Sequence, residues 1–158
     1  CVFAGAASPR ELVRTLCARF PAAVTAWGMS ETSGGVVVTD PVSPDMPKLD
    51  LITIVLNYHD ISYLPVDRAK MNQRLFAALK PGGRLVVIDH SAIKGTGISA
   101  GKTLHRIDET VVVTEVRQAG FVLDAEGNFL RNPADPRDES SNQPKVATDK
   151  FALRFVKP

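Results

Sequence analysis

A three-layer α/β/α domain on a mostly parallel sheet, closed by one antiparallel strand, is the architecture this sequence predicts. Three observations carry that expectation. The first thirty residues read as strand, helix and strand, the size of a parallel βαβ unit. Residues 49–56 form a nearly continuous apolar run, the pattern of a strand buried on both faces of a parallel sheet. The final segment, 151–156, alternates inward and outward positions as a closing strand does.

The elements follow in order. Residues 1–5 are short and apolar, and Ser8-Pro9 then supplies an N-cap with proline in the first turn, where a missing N–H is harmless. Leu12, Val13, Leu16, Cys17 and Phe20 share one helical stripe that Pro21 ends. Residues 24–27 read as a strand running into a loop at Gly28, and 35–39 as a further short strand. Pro41, Pro44 and Pro47 break the composition and mark residues 41–48 as a connector.

After the 49–56 strand, Met71, Leu75, Phe76 and Leu79 give a helix over 65–79, which Lys80-Pro81-Gly82-Gly83 stops. A strand at 84–89 and a glycine-rich loop at 91–104 come next. Ile107, Val111, Val112 and Val116 predict a helix over 106–119 with Gly120 at its end, despite the β-branched side chains. Residues 121–123 and 151–156 read as strands, separated by a Pro-, Asp- and Asn-rich surface loop over 132–145.

Composition narrows the function classes. The chain has 158 residues, 44% hydrophobic and 23% charged, with a formal net charge of +2, which suits one globular domain. Arg10, Arg14 and Arg19 are spread along one predicted helix and form no phosphate-tracking stripe, so nucleic acid is not an expected partner. The two cysteines, Cys1 and Cys17, offer neither a disulfide framework nor metal-ligand spacing, and no metal ligands are assigned. The longest apolar run is too short to span a membrane and the N-terminus lacks a signal pattern, so a cytoplasmic protein without membrane attachment is expected.

Two groups of residues carry candidate chemistry. Gly5-Ala6-Ala7 and Trp27-Gly28-Met29-Ser30-Glu31-Thr32 fall at the carboxyl ends of consecutive predicted strands, the edge where open α/β sheets bind ligands. About forty residues around them resemble the adenylate-forming enzymes, the acyl-CoA synthetases and their relatives. By that resemblance Gly5, Ala6 and Ala7 would lie along an adenine, Trp27 would stack on it, Ser30 would meet phosphate and Glu31 would help hold magnesium. The phosphate-gripping loop, the ribose aspartate and the C-terminal lysine domain of that family are absent, so adenylation is not expected.

The second group is Asn57-Tyr58-His59-Asp60 at the end of one strand and Asp89-His90 at the end of the next. Two histidines and two acids at one sheet edge suit acid–base work near neutral pH. With Leu79-Lys80-Pro81-Gly82-Gly83, His105-Arg106-Ile107-Asp108 and Gly120-Phe121, residues 49–158 resemble class I S-adenosylmethionine-dependent methyltransferases. The resemblance implies a Rossmann-like, methyltransferase-like fold, with His59, Asp60 and His90 as catalytic candidates and Asn57, Tyr58 and Asp89 as cofactor contacts. His105 and Arg106 are candidates to bind an acidic group or their own loop.

The family's Gly-x-Gly-x-Gly turn and the ribose carboxylate after its second strand are absent, because residues 1–40 replace the strands that carry them. A single-domain chimera is therefore expected: an adenylate-forming-like unit over 1–40, a connector over 41–48 and a methyltransferase-like half over 49–158. Its expected activity is weak or absent methyl transfer from S-adenosylmethionine. The alternatives are a module that binds adenosine, AMP or ATP, and a folded chimera without chemistry. An adenosyl ligand is the expected small-molecule partner, and strand edges left open by the join predict a homodimer. Residues 95–103 resemble a phosphate loop with the register off by one, since Thr96 stands where the first glycine belongs.

Overall fold

The computed structural model describes Val2–Phe3, Val24–Thr25 and residues 48–158. Strands β1 (Val2–Phe3) and β2 (Val24–Thr25) pair in parallel, with Val2 opposite Val24, as a βαβ unit requires. The helix expected over 8–20, the strand over 35–39, the connector and the candidate ligands Gly5, Ala6, Ala7, Trp27, Ser30 and Glu31 lie outside the described residues. β1 runs beside β3 (Leu49–Val55).

β3 pairs in parallel with β4 (Leu79–His90), and β6 (Lys150–Val156) inserts antiparallel between β4 and β5 (Val122–Gly127). The order is β3-β4-β6-β5, and β6 alone runs against its neighbours. Register explains the packing, because residues directly opposite on adjacent strands share a face. Ile52, Leu85, Phe155 and Leu123 form one row across the sheet, and Ile54, Val87 and Leu153 the next. These rows build the core with Val112, Val116 and Phe121. Burying a side chain of this size contributes about 1.5–3 kcal/mol before cavity and entropy effects.

Helices α2 (Arg68–Ala78) and α4 (Glu109–Gln118) cover the core. Asp67 caps α2 by accepting from the Lys70 N–H at 2.9 Å, and Asp108 caps α4 by accepting from Thr110 N–H at 2.9 Å. The rings of Phe76 and Phe121 meet edge to face at 5.1 Å, and Arg68 donates to both carboxylate oxygens of Glu115. Gly120 follows α4 at φ +105, beyond the reach of an L side chain, and a Cβ there would stand 3.1 Å from the Phe76 ring.

Several sequence expectations change in detail. The helix expected to begin at 106 begins at 109, because Asp108 caps it while Ile107 bridges to Ser91 beside β4. Lys80-Pro81-Gly82-Gly83 is an excursion within β4 rather than a turn ahead of it. Leu79 pairs with Leu49 and Arg84 with Leu51, so the four residues between bulge out, with Gly82 at φ +75. β3 buries Ile52 and Ile54 on one face, while on the other Leu49 is buried, Leu51 is 36% exposed and Thr53 and Val55 are half-buried, so the second face is only partly covered. β5 extends to Gly127 through polar residues that the apolar pattern did not include, held by the backbone of β6 and by an Arg154–Asp124 ion pair. Among the described residues no helix is long and apolar enough to cross a membrane.

Candidate active site

The carboxyl ends of β3 and β4 stand side by side. β3 leaves the sheet at Leu56, whose φ of 52 is unusual for leucine, and enters the single turn α1 (Tyr58–Ile61). That tight exit brings His59 over the end of β4. The Asp89 carboxylate, fully buried, accepts from His59 N–H at 2.8 Å, from His90 N–H at 2.8 Å, and lies 2.6 Å from His59 Nδ1. One carboxylate thus fixes the position and ring orientation of His59.

The loop between β4 and α4 returns to the same place. Gly101, at the start of the short helix α3 (Gly101–Leu104), packs on α1 so closely that a Cβ would lie 2.5 Å from Ser62 Oγ. His105 follows in the left-handed region, at φ 51 and ψ 50. Its Nδ1 lies 3.3 Å from Asp60 Oδ1, which is also 3.3 Å from His59 Nε2, and Tyr63 donates to the same oxygen at 2.8 Å. His59 and His105 meet edge to face at 5.6 Å. The nearest ligand atoms of His59, Asp60 and His105 all lie within 4.8 Å of one another.

Electrostatics divides the histidines. Burial works against a charge on His59, but the bonds to Asp60 and Asp89 outweigh it and lift the imidazole to about 9. Burial also opposes the charge on Asp60, yet the His59 contact, with Tyr63 and His105, holds its carboxyl down at about 2. His90 has no such neighbours in reach. Burial pushes it down to about 4 against the attraction of Asp89, and its Nδ1 pairs with Thr148 Oγ1 at 2.9 Å. A cationic and a neutral imidazole therefore stand with ring centroids 6.0 Å apart.

The remaining candidates sit as follows. Tyr58 is fully buried away from this cluster: its hydroxyl donates to Glu115 Oε2 at 2.9 Å and accepts from Asn72 Nδ2 at 2.8 Å, linking α1 to α2 and α4. Asn57 is the buried N-cap residue of α1 and its side chain makes no capping bond. Arg106 serves its own loop, paired with Asp135 at 2.7 Å and donating to the carbonyls of Ser91 and Glu139. The phosphate-loop look-alike closes on a side chain, since Asp108 Oδ2 accepts from Gly95 N–H at 2.6 Å. His105 is the residue the sequence reading left outside the cluster. It lies 45 residues from Asp60, and the backbone turn that aims it has no apolar pattern to announce it.

No family model matches the chain, and no curated protein matches it in sequence. Solved structures do match in shape. The N-methyltransferase NodS from Bradyrhizobium japonicum superposes with a TM-score of 0.50 at 16% identity, covering 99% of this chain and 72% of that one. An S-adenosylmethionine-dependent methyltransferase from Methanosarcina mazei gives 0.51 at 14% identity, over 99% and 82% of the two chains. The chain has the methyltransferase fold. A further methyltransferase from Thermotoga maritima agrees, at 0.50 and 16% identity over 99% and 72%. In that fold the reversed strand between two parallel ones is β6 here, and the His59–Asp89–His90 group stands at the carboxyl edge where ligands of open α/β sheets bind.

Proposed function

We propose that the chain is a methyltransferase-like protein whose residues 49–158 form the acceptor side of the domain, and whose cofactor side is incomplete. The observation that carries this reading is the pairing of a methyltransferase sheet order with two imidazoles, one cationic and one neutral, whose ring centroids stand 6.0 Å apart at its carboxyl edge. Titratable groups whose surroundings push their proton affinities apart are the usual basis of acid and base roles. His59, kept cationic between Asp60 and Asp89, would orient an acceptor group by donating a hydrogen bond, and neutral His90 would accept one from it.

The sequence of residues 1–40 carries neither the glycine-rich turn nor the ribose carboxylate of that family, so S-adenosylmethionine is expected to bind weakly and methyl transfer to be slow or absent. Thermal unfolding in the presence of adenosyl ligands tests this. A ligand at ten times its Kd adds about 1.4 kcal/mol to the native state, which raises the melting temperature by roughly 3–6 °C for a chain of this size. The expected result is such a rise with millimolar S-adenosylmethionine or S-adenosylhomocysteine and none with AMP. A rise with AMP alone would move the binding function to the N-terminal segment, and no rise with any of the three would leave a folded chimera without adenosyl chemistry.

A further inference from the structure

We propose that His59 Nε2, Asp60 Oδ1 and His105 Nδ1 form a site for one divalent transition-metal ion of the borderline class to which zinc and cobalt belong. Two imidazoles and a carboxylate are the ligand set that zinc and cobalt favour over the harder magnesium and calcium, and the ion would take the Nε2 lone pair of His59 in place of the proton held there in its absence, so binding releases that proton. The spacing fits as well. With metal–ligand bonds of about 2.0–2.1 Å, two ligands of a tetrahedral ion stand roughly 3.3–3.4 Å apart. Asp60 Oδ1 lies 3.3 Å from each imidazole nitrogen, and ligand atoms of the three residues all lie within 4.8 Å of one another.

The surroundings are those of a built site. Asp89, bonded to Nδ1 of His59 at 2.6 Å, sets the ring so that Nε2 faces Asp60, the carboxylate–histidine pairing that commonly orients a metal ligand from behind. Tyr63 holds the Asp60 carboxylate, and the left-handed backbone of His105 with the close Gly101 contact fixes the third ligand before any ion arrives. The His59 side chain is 5% exposed while those of Asp60 and His105 are 19% and 17% exposed, so the group is walled on one side and reachable on the other. Three protein ligands with a reachable face are the form of a site that keeps a position for water or for an oxygen or nitrogen donor of a small molecule. The inference goes beyond the methyl-transfer reading and stands whether or not an adenosyl ligand binds.

The test uses the full chain, treated with chelator and carrying Cys1→Ser and Cys17→Ser to remove competing thiols. Calorimetry with zinc chloride is expected to show one equivalent bound. Cobalt(II) is expected to develop visible absorption without the strong near-ultraviolet band of thiolate ligation. His105→Ala and Asp60→Asn, with folding checked by circular dichroism, are each expected to weaken zinc binding tenfold or more, whereas Asp50→Asn leaves it unchanged. Imidazole nitrogen resonances read the same site without any variant: those of His59 and His105 shift on zinc addition and that of His90 does not. Saturable binding absent up to about 1 mM zinc, a weakness that leaves only about 4 kcal/mol of binding energy, would overturn the site. So would binding that ignores both ligand variants, or resonances of His59 and His105 that stay in place.

Discussion

Two buried carboxylate clusters flank the loop between β4 and α4, and adjacent residues of that loop serve one each. His105 joins Asp60, His59 and Asp89, whereas Arg106 joins Asp135, beside Asp149 with Arg131 and Arg137. In the second cluster every cation is a guanidinium, which stays charged and forks onto a carboxylate in fixed geometry. Asp135 also accepts from the N–H groups of Arg137 and Asp149, and Asp149 from that of Asn132, so the cluster stitches residues 131–149 to the end of β4. In the first, every cation is an imidazole, which exchanges protons near neutrality and can give its lone pair to a metal. The same acids with different partners make a clamp in one place and a reactive group in the other.

The comparison breaks most visibly through its largest expected effect. Arg106→Ala leaves the buried Asp135 without its cation and is expected to cost about 3–5 kcal/mol of stability by urea unfolding. His105→Ala, one residue earlier and partly exposed, is expected to cost no more than about 1 kcal/mol. Equal losses would mean that both clusters are clamps. Next comes Tyr58→Phe, which removes the hydroxyl joining Glu115 and Asn72 and is expected to cost about 1–3 kcal/mol without altering zinc binding.

Acid sharpens the contrast further. Burial raises the Asp135 carboxyl, but its bonds to Arg106 and to the Asp149 and Arg137 N–H groups hold it below the usual carboxylate range. A folded value below the unfolded one places the stabilisation above the ordinary aspartate pKa and removes it as pH falls through the folded value. Asp135→Asn is therefore expected to flatten the loss of stability below about pH 4, read from urea midpoints at successive pH values. The smallest effect lies outside both clusters. Asp50→Asn breaks an ion pair with Lys80 on the open surface and is expected to change stability by less than about 1 kcal/mol.

Much of this fold was legible from local pattern. The apolar run at β3, the stripe of Met71, Leu75 and Phe76 on α2, and Gly120 after α4 each follow from burial or backbone freedom that a short window of sequence contains. β5 was cut short because Ala125 and Glu126 pair through backbone with β6 beyond an irregularity at Asp124, which no apolar period marks. The candidate site was half legible. Asn57-Tyr58-His59-Asp60 and Asp89-His90 were recognisable at strand ends, since successive parallel strands bring their carboxyl ends together. What could not be read was direction: Tyr58 turns into the core, and His105 arrives from 45 residues away through a left-handed turn and a contact at Gly101. Those depend on tertiary geometry alone.

The position of β6 has a consequence for how the chain is made. Its Phe151, Leu153 and Phe155 lie between β4 and β5, which have no hydrogen-bonded contact with each other until that strand arrives. β4 already pairs with β3 along its other edge, so what depends on β6 is the inner edge of β4 and the edge of β5 that faces it. Because β6 follows both strands in the chain, β5 can join the sheet only once β6 has formed, and until then these edges are open to pairing with another strand.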